Sequence, residues 1–308
     1  LVSQGRVAEG MAAIDEAMDA ATRAQLGART AGRVLCNMMS TCENLADYRR
    51  ASEWNEAARA WCEPHSQSGF PGICRVHRAQ LLRLRGSWPE AEIEARQASE
   101  ELEDFLSDVA AEAYYELGEI KMLTGDLVGA DNYFRQAHEL GRDPVPGLAL
   151  LRLAQGRKES ARALLERALS DPYRSRLDRA RLLPAQAEVA YASSATDTIR
   201  AAAEELATIA EAYGSPALAA RAAFARGLVE LGEGQPAAAA ATLRRAWKLA
   251  KDSDLPYEAA RTRVLLGQAY RACGNTEDAE LELQAAAVSF ERLGATADAQ
   301  SATALLEG

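Results

Sequence analysis

Cysteine and histidine are the scarcest reactive residues of this 308-residue chain, five and three in number, and most of them fall in one stretch. Cys36, Cys42, Cys62 and Cys74 share positions 36 to 77 with His65 and His77, while Cys273 and His138 lie apart. Cys74-x-x-His77 sets a thiol and an imidazole three residues apart, neighbours on one helix face. Groups of this kind bind zinc or act as nucleophile and base. A zinc site needs about four ligands in a tetrahedral array. The spacings Cys36-x5-Cys42, Cys62-x11-Cys74 and Cys74-x2-His77 match no finger or ribbon pattern, and free cysteine packs well as a small core residue. No metal and no cofactor is expected. A nucleophile needs a base beside it, and only His77 is placed to serve a cysteine. His65 sits in the polar stretch 63–69, and His138 falls near a helix C-terminus, where imidazole meets terminal carbonyls favourably. Glu116 and Glu119 lie three apart and Glu119 is four from Tyr115, spacings at which the three can cluster around Glu119. On a chain this rich in glutamate such pairs are expected to be solvated. No catalytic residue is assigned.

The elements that position these groups are helices. Ala, Leu, Arg and Glu dominate, aromatic residues are only 6%, and no stretch shows the period-two alternation of a strand. Net charge is −10, without the surplus of Lys and Arg needed to displace counterions from phosphates, so nucleic acid is not an expected direct partner. The odd cysteine count suits a reduced, cytoplasmic protein, and no apolar run approaches the roughly 18 residues of a membrane span.

Self-similarity organises the helices. Tyr114-x-x-Leu117-Gly118, Gly125, Ala130, Phe134 and Ala137 recur as Leu266-Gly267-x-x-Tyr270, Gly274, Ala279, Leu283 and Ala286. This is the tetratricopeptide pattern, in which small residues let two antiparallel helices approach and large ones fill the space between hairpins. Anchored on the residue that opens the second helix, the frame runs Gly10, Ala51, Ala91, Ala130, Ala161, Ile199, Ala239 and Ala279. Five residues earlier stands a turn residue: Gly5, Ala46, Gly86, Gly125, Gly156, Ser194, Gly234 or Gly274. Seven residues later stands Ala17, Ala58, Ala98, Ala137, Ala168, Leu206, Ala246 or Ala286. The spacing predicts an all-α, tetratricopeptide-like right-handed superhelical solenoid of about eight helical hairpins, the first one truncated, as a single array over 1–308. The anchor interval shortens to 31 between Ala130 and Ala161, across Gly141-Arg-Asp-Pro-Val-Pro-Gly147, whose prolines forbid a full helix. A softer joint is expected near 141–147 and another at 170–180. Opening on a half hairpin at Leu1 implies that more protein precedes residue 1. Trp54, Trp61, Trp88 and Trp247 are expected in the core, Trp88 and Trp247 at spacings that suit inter-repeat packing.

The segment Val34–Ala98 resembles the helical-repeat region of large actinobacterial LuxR-type (MalT-like) transcriptional regulators and related cyclase-linked signalling proteins. The residues that carry the likeness are Cys36, Cys42, Trp54, Trp61-Cys62, Cys74-x-Val76-His77-Arg78 and Gly86-x-Trp88-Pro89-Glu90-Ala91. The run Gly141-Arg-Asp-Pro-x-Pro-Gly-Leu-Ala-Leu-Leu-Arg-Leu-Ala-Gln-Gly156 resembles it too. The resemblance implies flanking domains, an ATPase or cyclase before the repeats and often a helix-turn-helix after them. No phosphate loop of the form Gly-x-x-x-x-Gly-Lys-Ser/Thr and no basic recognition helix is present in this chain.

In such an array the first helices line the concave groove. Counting back from the anchors turns Cys36, Ser40 and Glu43 inward, then Val76, Gln80 and Arg83 with His77 at the margin, then Tyr115, Glu119 and Met122. Later units offer Phe224, Leu228, Val264, Gln268 and Arg271, a blander face suited to a helix or peptide. Cys36, Ser40, His77, Gln80, Arg83, Tyr115 and Glu119 are therefore the candidate ligand-binding residues. The expected role is a sensor or scaffold module of a bacterial regulator, binding a small-molecule effector or a peptide or protein segment in the groove. Two other readings compete: a repeat scaffold recruited as an enzyme around His77 and Tyr115, and constitutive protein–protein assembly.

Overall fold

A computed structural model describes residues 1–23, 26–62, 70–102 and 107–307. Among these, every α-helix belongs to one run of antiparallel hairpins, and no strand occurs. A 3-10 turn (Val2–Gln4) and α1 (Val7–Thr22) form the truncated first unit. There follow α2 (Ala28–Asn44) and α3 (Tyr48–Cys62), α4 (Phe70–Leu84) and α5 (Trp88–Leu102), and α6 (Ser107–Leu123) and α7 (Leu127–Glu139). Next come α8 (Gly147–Ala154) and α9 (Lys158–Leu169), α10 (Arg176–Ala192) and α11 (Thr196–Tyr213), α12 (Pro216–Gly232) and α13 (Pro236–Asp252), and α14 (Pro256–Ala272) and α15 (Thr276–Leu293). A further helix, α16 (Thr296–Glu307), packs on α15. Residues 63–69, with His65, lie outside the described residues.

The turns hold the frame. All eight turn residues of the sequence pattern have positive φ, including the non-glycines Ala46 (55°) and Ser194 (56°). From the second unit onward one cap repeats. At Gly86, for example, the N–H donates to the Arg83 carbonyl at 3.1 Å and the Ser87 N–H to the Leu82 carbonyl at 2.9 Å. This pair of hydrogen bonds satisfies carbonyls that a helix end otherwise orphans. The anchors Ala51, Ala91, Ala130, Ala161, Ala239 and Ala279 are wholly buried, so helices touch backbone to backbone there. Gly118 faces Phe134 so closely that an added Cβ would lie 2.6 Å from the ring. Between Gly141 and Gly147, Pro144 and Pro146 leave α8 only eight residues.

The array curls far enough to meet itself. The edge carrying the turns within the first three units docks on the opposite edge of the last three, where Gly214, Asp254 and Gly294 take the left-handed conformation. The Tyr213 hydroxyl donates to the Ser3 carbonyl at 3.1 Å, and Arg221 donates to the Tyr48 hydroxyl at 3.0 Å. Arg85 pairs with Asp254 at 3.1 Å, and the buried Trp88 meets Tyr257 edge-on at 5.8 Å. Gly86 closes against Leu293 and Pro256, where an added side chain has no room. Trp88 therefore packs as expected. Trp54 and Trp247 are only partly buried at the core margin, with Arg263 lying 4.8 Å over the Trp247 ring. The Trp61 side chain lies outside the described residues.

Candidate functional site

Curling converts the concave groove into a chamber of about 890 Å³ on the superhelical axis. Its first wall comes from α2, α4 and α6. His77 on α4 points its Nδ1 at the Glu43 carboxylate of α2, 2.8 and 3.0 Å from the two oxygens. One turn on, the Gln80 amide nitrogen reaches the same carboxylate at 3.1 Å. Burial alone would lower the His77 pKa, but the Glu43 charge and the adjoining Cys36 outweigh it and raise it to about 10. The imidazole is therefore a cation at neutral pH. Arg83 donates to Glu116 at 2.6 Å and lies 3.5 Å from Glu119, with all three side chains largely buried. The Trp88 indole N–H donates to the Arg83 carbonyl at 3.0 Å, tying this pair to the closing edge.

Tyr115 on α6 is buried, and its hydroxyl accepts the Gly147 N–H at 3.2 Å at the start of α8. The Arg142 guanidinium stacks 3.5 Å over its ring while donating to Glu112 at 2.7 Å. Burial, reinforced by Glu119, pushes the phenol far above its usual range. One Glu119 oxygen has no hydrogen-bond partner and lies against Gly147. There the positive end of α8 partly offsets its charge.

The opposite wall is as polar, which corrects the expectation of a blander later half. Arg221 on α12 donates to Glu258 of α14 at 2.9 Å as well as to Tyr48. Arg261 grips Glu188 of α10 through two bonds, 3.0 and 2.6 Å, across the face of α12. Its guanidinium also lies over Phe224 at 5.3 Å and Tyr257 at 5.8 Å. The Tyr257 hydroxyl donates to Asp298 of α16 at 3.0 Å. Arg181 and Pro184 of α10 complete the lining.

Six of the seven candidate residues, Ser40, His77, Gln80, Arg83, Tyr115 and Glu119, line the chamber. Cys36 stands behind His77, and Gln268 and Arg271 do not reach the lining. Glu116 and Glu119 are buried in an ion-pair network rather than solvated, because Arg83 comes in from the neighbouring unit. What the count from the anchors missed lies one turn earlier: Arg221 precedes Phe224, and Arg261 precedes Val264, by three residues. Only the curvature of the array decides that this turn also faces inward. Cys42 is buried in the core, its thiol pushed up to about 12 by burial and by Asp47, which makes it unreactive. Among the described residues no three His, Cys, Asp or Glu side chains gather as metal ligands would, and no helix is long and apolar enough to cross a membrane.

No protein-family model matches the chain, and no curated protein sequence does. Solved structures match it at low identity. One is the anaphase-promoting-complex hetero-tetramer Cut9–Hcn1, with 13% identity over 87% of this chain and 48% of that one and a TM-score of 0.56. Another is a Signal Transduction ATPase with Numerous Domains with a tetratricopeptide repeat sensor, from Pyrococcus horikoshii (16% identity, 86% and 43% covered, TM-score 0.53). A third is a Rap protein complexed with Competence and Sporulation Factor (16% identity, 89% and 69% covered, TM-score 0.50). The chain spans about half the length of the first of these. At this identity the likeness is one of fold, and the fold is a tetratricopeptide-repeat solenoid.

Proposed function

We propose that this chain is the ligand-sensing array of a larger bacterial signalling regulator, and that its effector occupies the axial chamber. The observation that carries the reading is the chamber itself. About 890 Å³ between the two walls, open to solvent on one side at residues such as Ala154, suits a small molecule or short peptide. The buried ion pairs of its walls are already made, so a ligand meets fixed charges and not collapsing side chains. Occupancy would act on the closing edge, because Arg221, Tyr257 and Arg83 belong to the chamber and touch that edge as well. A ligand that prefers one spacing of the two edges shifts the array between packed states and changes how flanking domains dock.

Two lines support the assignment to a regulator. The repeat resembles that of actinobacterial LuxR-type proteins, and one solved structure of like fold carries its repeats as the sensor of a signalling ATPase. An effector-binding module of that kind works in the cytoplasm. The enzyme reading has less support: His77, cationic and held by Glu43, has no lone pair to accept a proton at neutral pH.

The test is native mass spectrometry of the purified chain after incubation with fractionated bacterial metabolite extract. The expected result is a retained mass on the wild type that Ala154→Trp, a bulky replacement at an exposed chamber position, does not retain. If no fraction adds mass to the wild type, the sensing reading falls.

A further inference from the structure

The ionisable groups of the chamber wall can be accounted for one by one, and the remainder defines a ligand. His77 is matched with Glu43, Arg83 with Glu116 and Glu119, Arg221 with Glu258, and Arg261 with Glu188. Glu112 is matched from behind by Arg142. Two charged side chains are left. Arg181 on α10 lines the chamber as a solvent-exposed residue, with no hydrogen bond or ion pair among the described residues. Asp298 on α16 receives only the Tyr257 hydroxyl, on one of its two oxygens, and has no salt bridge of its own. The two are of opposite sign and stand on different helices that line one half-open cavity.

We propose that the chamber takes a small dipolar ligand that carries a carboxylate and an ammonium on the same molecule, the carboxylate docking on Arg181 and the ammonium on Asp298. This rests on the sensing reading above and names the chemistry of its effector. A guanidinium with its edge free offers a carboxylate two parallel N–H donors, and a carboxylate with a free oxygen accepts an ammonium. Burial raises the Asp298 carboxyl above its ordinary range, against the pull of Tyr257 and Arg261, so a cation brought to it relieves a cost already present. A purely anionic ligand would satisfy Arg181 but add charge to a wall where Glu116 and Glu119 already share one arginine. A purely cationic ligand would leave Arg181 unused. Phe224, Leu150 and Leu153 supply apolar surface for the part between the two ends. Free amino acids and short peptides with unblocked ends both have this chemistry. The volume suits a peptide of roughly three to six residues, while a single amino acid would leave most of the chamber to water.

The test uses three synthetic pentapeptide libraries on the intact chain, with free ends, N-acetylated and C-amidated, together with the twenty free L-amino acids. Captured mass is read by native mass spectrometry. Capture from the free-ended library, reduced at least about tenfold by either block, is the expected result; capture of amino acids in place of pentapeptides would support the same chemistry with the smaller source. Arg181→Gln should make capture indifferent to amidation, and Asp298→Asn should make it indifferent to acetylation, each with unchanged helix content and melting. Equal capture of blocked and free libraries overturns the proposal. So does capture of neither peptides nor amino acids while an extract fraction still binds in the Ala154-sensitive way, an outcome that leaves the sensing reading standing. No capture from any source removes both.

Discussion

Two kinds of interface hold this array, and they are built on different rules. Between consecutive units, alanines and glycines face large residues: Phe134, wholly buried, fills the space against Gly118 and reaches Gly147 of the next hairpin. Such contacts are continuous and apolar, and they repeat at the alanine anchors. Along the closing edge the contacts are fewer, with Trp88 and Ile120 sharing one apolar cluster with Phe290 and Ala299 and individual polar contacts beside it. Trp88 meets Tyr257, Arg221 reaches Tyr48, Arg85 pairs with Asp254, and Tyr213 holds Ser3. The stack gives the array its stability, and the closing edge gives it a chamber. An element that must open for a ligand belongs to the weaker of the two.

The largest expected effect therefore belongs to the stack. Phe134→Ala removes a buried ring that two neighbouring units share, and it should cost about 3–5 kcal/mol of unfolding free energy. Urea denaturation followed by helix signal reads this directly. A loss under about 1 kcal/mol would mean that the units are not held by this packing and that the closing edge carries more than its share.

The difference between the two interfaces also decides how much could be read from the amino-acid sequence. The stack was legible because its demands are local and steric. Every turn position identified by spacing has the left-handed backbone, even Ala46 and Ser194, and Gly86 through Asn275 repeat one cap. The first wall of the chamber was legible for the same reason, since Ser40, Gln80, Arg83, Tyr115 and Glu119 occupy inward positions of regular first helices. Of the second wall only Phe224 was. Arg181, Arg221, Arg261 and Asp298 reach the chamber only because of the curvature, which sums small rotations over every loop. Tyr213 and Ser3, 210 residues apart, carry no periodicity that could pair them. A charge count by unit also hid the network, because Arg83 finds its carboxylates on the next hairpin and Arg261 finds Glu188 two first helices away.

A middle-sized effect tests whether the buried pairs of the wall stabilise the fold or only furnish it. His77 is raised to about 10 from an ordinary 6.5. A raised cationic group contributes its full stability below the unfolded value and loses it as pH climbs through the folded one. Between pH 7 and 10 the wild type should lose on the order of a few kcal/mol through this group, and His77→Gln should lack that slope. The measurement is the urea midpoint against pH for both proteins. Parallel curves would mean that Glu43 gains nothing from the charged imidazole, and that water or Gln80 serves it as well.

The smallest effect probes the closing edge alone. Tyr213→Phe keeps the ring, which is buried, and removes only the hydroxyl that donates to Ser3. The carbonyl it leaves belongs to an exposed residue in a three-residue turn, so water can replace the lost donor and the net cost should be about 0.5–1 kcal/mol. That cost should stay local, because the first unit is half a hairpin, held on one side by α2 and by Arg50 of α3 and on the other across the closing edge. Hydrogen exchange in residues 1–10 should speed up severalfold, while amides of α6 and α7 keep their protection and melting falls by no more than about 2 °C. Equal acceleration along the whole array would show that stack and closing edge open together. The chamber would then have no separate gate, and a ligand could enter only by loosening the repeats themselves.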